Sequence, residues 1–421
     1  MVLEKIRTFT LNWTIPDYCL SWILFFSIVY QKLAPLGFIF WTLSAIKLKE
    51  TGSVDLLRKS LSSGNSKWFL IYYLLLILGM IWTDNLDFGL SKLENKLSFL
   101  VFPVLFFGTK LNSNLNHWKY FLIIAISFSL MLNEVVAFLR ILENSSCNYQ
   151  DYFFGSSFCL SMHRSYYAAY LIIGILFILE LMEKRFSILF LALILVLVLG
   201  VIQTNSKMGF LSLIVVLFVY ALALSVRKSW RMILWIIFPL ILLIFVLILK
   251  DSPIKMRFEE TKKSLSEIKT VNNPSSGSDA SRLILWNSSL LVIGENWLLG
   301  SGTGDYNDVL IKKNTHLNNT GVVKMQFNSH NQFLTTWMQL GIFGFSTLIM
   351  MFVSSFIQCK RNMCGTLILV TFLLNFMVES FLEIQSGIVL FCVLLTIFFN
   401  EPKKHLEKEM QSLKESLLKP A

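Results

Sequence analysis

The stretch FSILFLALILVLVLGVI, residues 186–202, contains no charged side chain. It is close to the roughly 20 apolar residues that a helix needs to cross the hydrocarbon core of a bilayer. A second stretch, MILWIIFPLILLIFVLIL at residues 232–249, has the same character. Of the 421 residues, 55% are hydrophobic and only 15% are charged, whereas soluble domains have about 25% charged residues. The sequence therefore predicts an all-α fold, a polytopic membrane helical bundle.

Apolar segments of this kind recur along the chain, and we predict about 12 transmembrane helices. The predicted spans are 18–30, 34–46, 68–83, 97–109, 120–142, 165–182, 186–203, 208–226, 232–250, 332–357, 364–378 and 387–399. We expect residues 1–421 to form a single integral membrane domain. The N-terminus lacks the pattern of a cleaved signal peptide, so we expect none to be removed.

The basic residues indicate which side of the membrane each segment faces. With the N-terminus placed inside, the short inside segments hold most of the Lys and Arg residues, which is the bias of cytoplasmic loops. Both termini are then predicted to be cytoplasmic, with residues 400–421 as a cytoplasmic tail. Residues 251–331, between spans nine and ten, are predicted to be a long outside loop with amphipathic helices. The net charge of +11 follows from this topology, and we expect no nucleic-acid partner.

One pair of cysteines falls in a predicted outside loop. Cys147 and Cys159 are twelve residues apart and could form a disulfide in an oxidising compartment. The sequence leaves both the paired and the unpaired state open.

Arg282 lies in the first turn of a predicted amphipathic helix, and Trp286 follows four residues later on the same face. The planar guanidinium suits bidentate recognition of phosphate. The alternative is an interfacial arginine whose head group reaches the lipid head groups.

His330 and Asn331 directly precede the span predicted at 332–357. Within that span, Thr335 and Gln339 continue the face that begins at Asn331. Because polar residues in spans usually face the bundle interior or a wet cavity, His330 is predicted at the rim of an outward-facing cavity. The alternative is a histidine that caps an interfacial helix.

Other charged residues are predicted at the same outer side, namely His163, Arg164, Lys207, Glu379 and Glu383. Each is a weak signal alone, and together they place cations and acid–base groups around one possible cavity. In LLGSGTGDYND, residues 298–308, the glycines predict a tight turn rather than a dinucleotide loop. Asp305 and Asp308 could bind a divalent cation, but two carboxylates alone are weak evidence.

Two of these stretches, in order, resemble a known domain. SRLILWNSSLLVIGENWLLGSGTGDY (281–306) and SHNQFLTTWMQLGIFGF (329–345) resemble the domain shared by the O-antigen ligase and O-antigen polymerase family. The matching elements are R-x-x-x-W, L-x-G-x-G-x-G, H-N-x-(F/Y)-L and G-x-x-G, and the resemblance covers about residues 190–360. The Ser-Arg that this family has before span eight is Ser206-Lys207 here, which keeps the charge but not the bidentate fork.

The resemblance implies a metal-independent membrane glycosyltransferase of the bacterial inner membrane, with no cofactor and a periplasmic active site. Its implied donor is a glycan on undecaprenyl pyrophosphate, and its acceptor is lipid A–core or another glycan, with membrane lipids around it. His330 and Arg282 are implied to be catalytic, with Lys207 and Arg164 helping Arg282 to bind the pyrophosphate. The implied supporting residues are Asn331, Trp286, Gly302, Gly304, Asp305, His163 and Glu379.

The sequence leaves several functions open. A ligase with a lipid A–core acceptor is the leading one, and a polymerase would use the same donor. A third member of this class would transfer oligosaccharide to protein. From another class, a transporter or flippase of lipid-linked glycan would also need a cationic cavity, but it would usually show internal repeats or broken helices in matching halves.

Overall fold

The computed structural model describes residues 13–48, 65–109, 111–143, 150–184, 186–226, 259, 279–359 and 362–398, and its regular structure is helical. The helices are α1 (Ile15–Val29), α2 (Ala34–Leu48), α3 (Ser66–Gly79), α4 (Leu86–Asn95), α5 (Ser98–Gly108), α6 (Leu115–Glu143), α7 (Gln150–Phe153), α8 (Arg164–Lys184), α9 (Ile188–Gln203), α10 (Lys207–Val226), α11 (Asp279–Glu295), α12 (Tyr306–His316), α13 (Thr320–Lys324), α14 (Gln332–Gln358), α15 (Met363–Phe376) and α16 (Gln385–Ile397). Short 3-10 turns lie at Gln31–Leu33 and Phe381–Glu383. The predicted all-α class is confirmed.

Four of these helices are long and apolar enough to cross a membrane, namely α6, α8, α10 and α14. The helices α1, α3, α9, α15 and α16 are apolar but shorter. The span predicted at 232–250, the tail at 400–421 and Cys147 lie outside the described residues. The number of spans, the side that each loop faces and the Cys147–Cys159 pairing therefore stay predictions.

The helix α8 forms the centre of the bundle. Of its most apolar 18 residues, 94% are buried inside the protein, and it packs against α6, α9, α10 and α15. Its first residues, Arg164 and Ser165, lie at one end of the bundle, and Glu180 lies near the other. At 1.5 Å of rise per residue, Ser165 and Glu180 are about 22 Å apart along the axis.

Short polar side chains fix where several helices begin. The side chain of Asn331 accepts a hydrogen bond from the amide of Leu334 at the start of α14 (3.1 Å). Ser206 accepts one from the amide of Gly209 at the start of α10 (3.1 Å). These caps satisfy amides that the first helical turn leaves without partners. They set the positions of the residues next to them, which include His330 and Lys207.

The span predicted at 332–357 is present as α14, but it is interrupted. Gly341 has φ 63° and ψ −159°, which is not helical. The break releases the carbonyls of Met338 and Gln339, which accept hydrogen bonds from the amides of Ser301 (2.7 Å) and Gly302 (3.2 Å). The turn at residues 300–304 thus completes the backbone hydrogen bonding of a broken apolar helix.

Candidate active site

A turn between α15 and α16 carries Glu379, and packing on both sides holds it in place. The Glu379 amide donates to the carbonyl of Asn375 (2.9 Å), which continues the end of α15. The fully buried ring of Phe381 stacks on Tyr166 of α8, with ring centroids 4.5 Å apart. The Tyr166 hydroxyl donates to the carbonyl of Ser380 (3.1 Å). The turn is therefore a rigid part of the bundle.

The Glu379 carboxylate joins three elements that are far apart in the chain. Its Oε1 accepts hydrogen bonds from Nη2 of Arg282 on α11 (3.1 Å) and from Oγ of Ser165 on α8 (3.2 Å). Its Oε2 lies 3.2 Å from Nδ1 of His330, just before α14. The structure therefore brings Arg282, His330 and Glu379 together, and the predicted outer cavity stays a prediction.

Charge, rather than solvent, keeps this carboxylate ionised. The Glu379 side chain is only 6% exposed, whereas Arg282 and His330 are each 27% exposed. Burial alone would raise the pKa of Glu379, but the His330 hydrogen bond and the charge of Arg282 outweigh it and hold the pKa below its ordinary value. Glu379 is thus a buried anion with two partly exposed partners.

His330 has a left-handed backbone, with φ 47°. This conformation is uncommon for residues other than glycine, and it is enriched at functional sites. Its amide donates to Oδ1 of Asn328 (2.9 Å), and its ring meets Phe327 edge-on at 5.4 Å. With Nδ1 on Glu379, the ring directs Nε2 to the opposite side. The site therefore has a histidine whose orientation is fixed and whose second nitrogen is directed away from Glu379.

Asn331 supports His330 from the adjacent position. Besides capping α14, its side chain donates to the carbonyl of Met377 (3.0 Å), next to the Glu379 turn. Thr335, one turn later, contacts the hydroxyls of Ser329 (2.6 Å) and Ser380 (2.9 Å). The polar face predicted for this helix thus binds α14 to the Glu379 turn.

Arg164 and Lys207, the two further predicted cations, are the first residues of helices. Arg164 is the first residue of α8 and directly precedes Ser165. Lys207 is the first residue of α10, and its neighbour Ser206 donates to Oγ of Ser165 (3.4 Å). Helix N-termini carry partial positive charge and favour anions. Each of these cations thus directly precedes or follows a serine of the hydrogen-bonded chain that leads to Glu379, and their part in binding pyrophosphate stays a prediction.

His163 lies at the edge of this group. Desolvation lowers its pKa, Glu379 opposes the shift, and the charges of Arg164 and Arg282 reinforce it. His163 is thus within electrostatic range of the same cluster. Its Nδ1 is 3.5 Å from the Ser165 amide.

Part of the chain matches a known family. Residues 192–349 match the family model described as O-antigen ligase. The match covers less than half of the 421 residues, and it is a similarity to an O-antigen ligase domain. It confirms the predicted resemblance, and the matched residues include Lys207, Arg282 and His330. Glu379 and Arg164 lie outside its matched residues. No curated protein matches the chain.

Gly302 and Gly304 allow two backbone segments to approach each other closely. A Cβ on Gly302 would lie 2.7 Å from Oγ1 of Thr83, and one on Gly304 would lie 2.2 Å from the carbonyl oxygen of Asn85. The turn therefore packs directly against the connection between α3 and α4. This arrangement gives both glycines a structural role, and a role in supporting the site remains a prediction.

Asp305 and Asp308 are engaged by the same connection. The carboxylate of Asp305 accepts hydrogen bonds from the amides of Asp84 (2.8 Å) and Asn85 (2.8 Å). Asp308 accepts one from the Asn85 side chain (2.8 Å). Both carboxylates thus fix the turn to the start of α4.

Trp286 lies one turn after Arg282 on α11. Its indole Nε1 is buried and has no hydrogen-bond partner among the described residues. A buried donor of this kind usually finds a partner. Its position beside Arg282 agrees with the supporting role that the sequence predicts, which stays a prediction.

A second charged cluster adjoins the first. The sequence predicted Glu383 at the outer side, but not the lysines and the tyrosine that bind it. Oε1 of Glu383 accepts a hydrogen bond from Nζ of Lys96 (2.6 Å), and Oε2 of Glu383 lies 2.9 Å from Nζ of Lys92. The Tyr306 hydroxyl donates to the same Oε2 (2.8 Å). Lys96 is fully buried and also donates to Gln339 (3.0 Å). A sequence signal did exist, because Lys92/Lys96 and Glu379/Glu383 are each spaced i, i+4.

Proposed function

We propose that the protein is an O-antigen ligase-like glycosyltransferase. It would move a glycan from undecaprenyl pyrophosphate to a lipid A–core hydroxyl on the periplasmic face of the bacterial inner membrane. The observation that carries the proposal is the Arg282–Glu379–His330 group, in which two of the three residues belong to the O-antigen ligase domain. Such a reaction draws its energy from the glycosyl–pyrophosphate bond and needs no cofactor.

The cations suit the leaving group. When the bond from the anomeric carbon to the pyrophosphate oxygen breaks, negative charge develops on that oxygen. Arg282 is 27% exposed and already oriented by Glu379, and Arg164 and Lys207 are the first residues of two further helices. Fixed positive groups placed where charge develops are an effective way to lower a barrier.

His330 suits the acceptor. The acceptor hydroxyl would give its proton to Nε2 of His330 while its oxygen forms the new bond to the anomeric carbon. Nδ1 faces Glu379 at 3.2 Å, so the carboxylate holds the ring in one orientation and stabilises the imidazolium that forms. This pairing of a base with an orienting carboxylate follows the general logic of acid–base catalysis.

Point variants test the assignment of roles. Arg282→Ala and His330→Ala are expected to reach the membrane at wild-type levels and to lose transfer by at least about a hundredfold. His316→Ala is the matched control, because His316 is an exposed histidine at the end of α12. Immunoblots of membranes give the amount of protein, and lipopolysaccharide gels give the transfer. Full activity in both site variants would overturn the assignment.

A deletion strain tests the reaction itself. Lipopolysaccharide and undecaprenyl-linked glycans are analysed from the same culture. The proposal predicts bare core together with long polymer left on the lipid carrier. Core that bears a single repeat would instead indicate a polymerase. An unchanged lipopolysaccharide ladder would contradict both and point to a protein acceptor or to transport.

A further inference from the structure

We propose that Glu383, anchored by Lys92 and Lys96, is a positioning residue that fixes Glu379 and, through it, His330. The proposal rests on the function proposed above, because it assigns His330 a catalytic part. It adds a role for a charged cluster that lies outside the Arg282–Glu379–His330 group. Neither Glu383 nor the two lysines would touch the substrates.

The cluster of Glu383, Lys92 and Lys96 is buried, and both carboxylate oxygens have partners. The Glu383 side chain is 4% exposed, Lys96 is 0% exposed and Lys92 is 12% exposed. Both oxygens of Glu383 are used, one by Lys96 and the other by Lys92 and the hydroxyl of Tyr306. The ammonium of Lys92 also lies over the Phe88 ring at 4.8 Å. The carboxylate thus joins the turn after α15 to α4 and α12.

A short rigid segment connects this anchor to Glu379. The amide of Phe381 donates to the carbonyl of Glu379 (2.9 Å), and the amide of Glu383 donates to the carbonyl of Ser380 (3.1 Å). Between them, the amide of Leu382 donates to Oε1 of Gln332 (2.6 Å). Glu379 and Glu383 are therefore the two ends of one hydrogen-bonded turn, and a displacement of one end moves the other.

The same cluster reaches α14 by a second route. Lys96 donates to Oε1 of Gln339 (3.0 Å), and Gln339 donates to the carbonyl of Thr303 (2.9 Å). The helix α14 begins beside His330. The Lys96–Glu383 pair thus spans the two segments, the turn and α14, whose relative position sets the distance from Glu379 to His330.

The test compares Glu383→Gln with a matched loss of charge elsewhere. Glu180→Gln removes the acid of another ion pair, Lys119–Glu180 (2.5 Å), at the opposite end of α8. Membrane amount, kcat and KM are measured for the wild type and both variants. Glu383→Gln is expected to lower kcat about tenfold with KM within about twofold, because small misplacements of catalytic groups are costly. Glu180→Gln is expected to keep wild-type kcat.

A second readout does not depend on the substrate. Diethyl pyrocarbonate acylates imidazole, and mass spectrometry of the His330 peptide gives its rate of modification at one fixed pH. Glu379→Gln weakens the contact that holds Nδ1 of His330, which lies 3.2 Å from Oε2 of Glu379, so this rate is expected to rise. Glu383→Gln is expected to raise the rate by a smaller amount. A merely structural role would leave the rate at the wild-type value.

The outcomes separate the two proposals. If wild-type protein transfers no glycan but Glu383→Gln still raises the rate at which His330 is modified, the proposed function fails and the positioning role stands. In the variant that combines Glu379→Gln with Glu383→Gln, kcat is expected to equal that of Glu379→Gln alone within about twofold. A wild-type modification rate in Glu383→Gln, or fully additive losses of kcat in the combined variant, would overturn the positioning role.

A second variant covers the case in which Glu383→Gln fails to fold, since it leaves Lys96 buried without its charge partner. The double substitution Lys96→Met with Glu383→Gln removes both buried charges. Lys92 keeps its charge, and its side chain is partly exposed to solvent. The double variant is expected to fold and to show the same rise in the modification rate of His330. A folded double variant with wild-type kcat and a wild-type modification rate would overturn the proposal.

Discussion

Replacing Gly341 by Ala is expected to destabilise the protein strongly. The backbone there has φ 63° and ψ −159°, a conformation that costs other residues about 1–3 kcal/mol. A Cβ at this position would lie 2.1 Å from the carbonyl oxygen of Leu298, so the backbone segments at residues 298 and 341 would have to separate. That movement would strain the hydrogen bonds from Ser301 to Met338 (2.7 Å) and from Ile342 to Trp297 (2.9 Å), at about 1 kcal/mol each.

These contributions give a loss of about 3–5 kcal/mol in the free energy of unfolding. The measurement is the apparent melting temperature of detergent-solubilised protein, read as the monodisperse fraction after heating. Gly294→Ala is the matched control, because a Cβ there meets no atom within 4 Å. In the helix α11, Ala should be neutral or stabilise by up to about 1 kcal/mol. Equal melting temperatures for the two variants would refute the reasoning that the turn and the helix break form one packed unit.

Three further predictions concern the charged groups. Lys207→Arg is expected to keep transfer and Lys207→Ala to lose it, measured on lipopolysaccharide gels, because the charge is what the leaving group needs. Ser165→Ala removes a 3.2 Å hydrogen bond to Glu379 and should lower kcat about tenfold, since a bond to a charged group contributes about 1.5–3 kcal/mol; an unchanged kcat would argue against a role for Ser165. Burial raises the pKa of Glu383, but the charges of Lys92 and Lys96 outweigh burial and lower this pKa from 4.5 to about 2. Ionised Glu383 therefore stabilises the fold fully above about pH 4.5, and this contribution disappears as the pH falls towards 2. Melting temperatures between pH 3 and 6 should fall more steeply with acidification for the wild type than for Glu383→Gln.

The helices and part of the site could be predicted because their signals are local. Long apolar runs predict helices such as α8 and α14 wherever they occur. Arg282, His330 and Glu379 were identifiable because polar residues at the ends of apolar helices are conspicuous. That these three meet at one carboxylate required the fold, since 97 residues separate Arg282 from Glu379.

The second cluster was beyond local reasoning. Lys96 and Glu383 are 287 positions apart, and the sequence around either residue does not indicate which residue it pairs with. Lysine beside an apolar segment has a simpler explanation as a solvated end, so neither Lys92 nor Lys96 was conspicuous in the sequence. The break in α14 was equally hidden, because a glycine in an apolar helix is common and only the returning turn shows that it is used.

The broken helix also bears on the order in which the protein is made. Lipid cannot satisfy the carbonyls of Met338 and Gln339, so an apolar helix with this break needs its protein partner when it inserts. The partners, Ser301 and Gly302, precede α14 in the chain and leave the ribosome first. The partner of the break is therefore already synthesised when the break emerges. A chain that began after residue 304 would present α14 to the membrane with those two carbonyls lacking hydrogen-bond donors. A chain cut between residues 304 and 332 would instead keep Ser301 and Gly302 in its first fragment, where they could bind α14 of the second fragment.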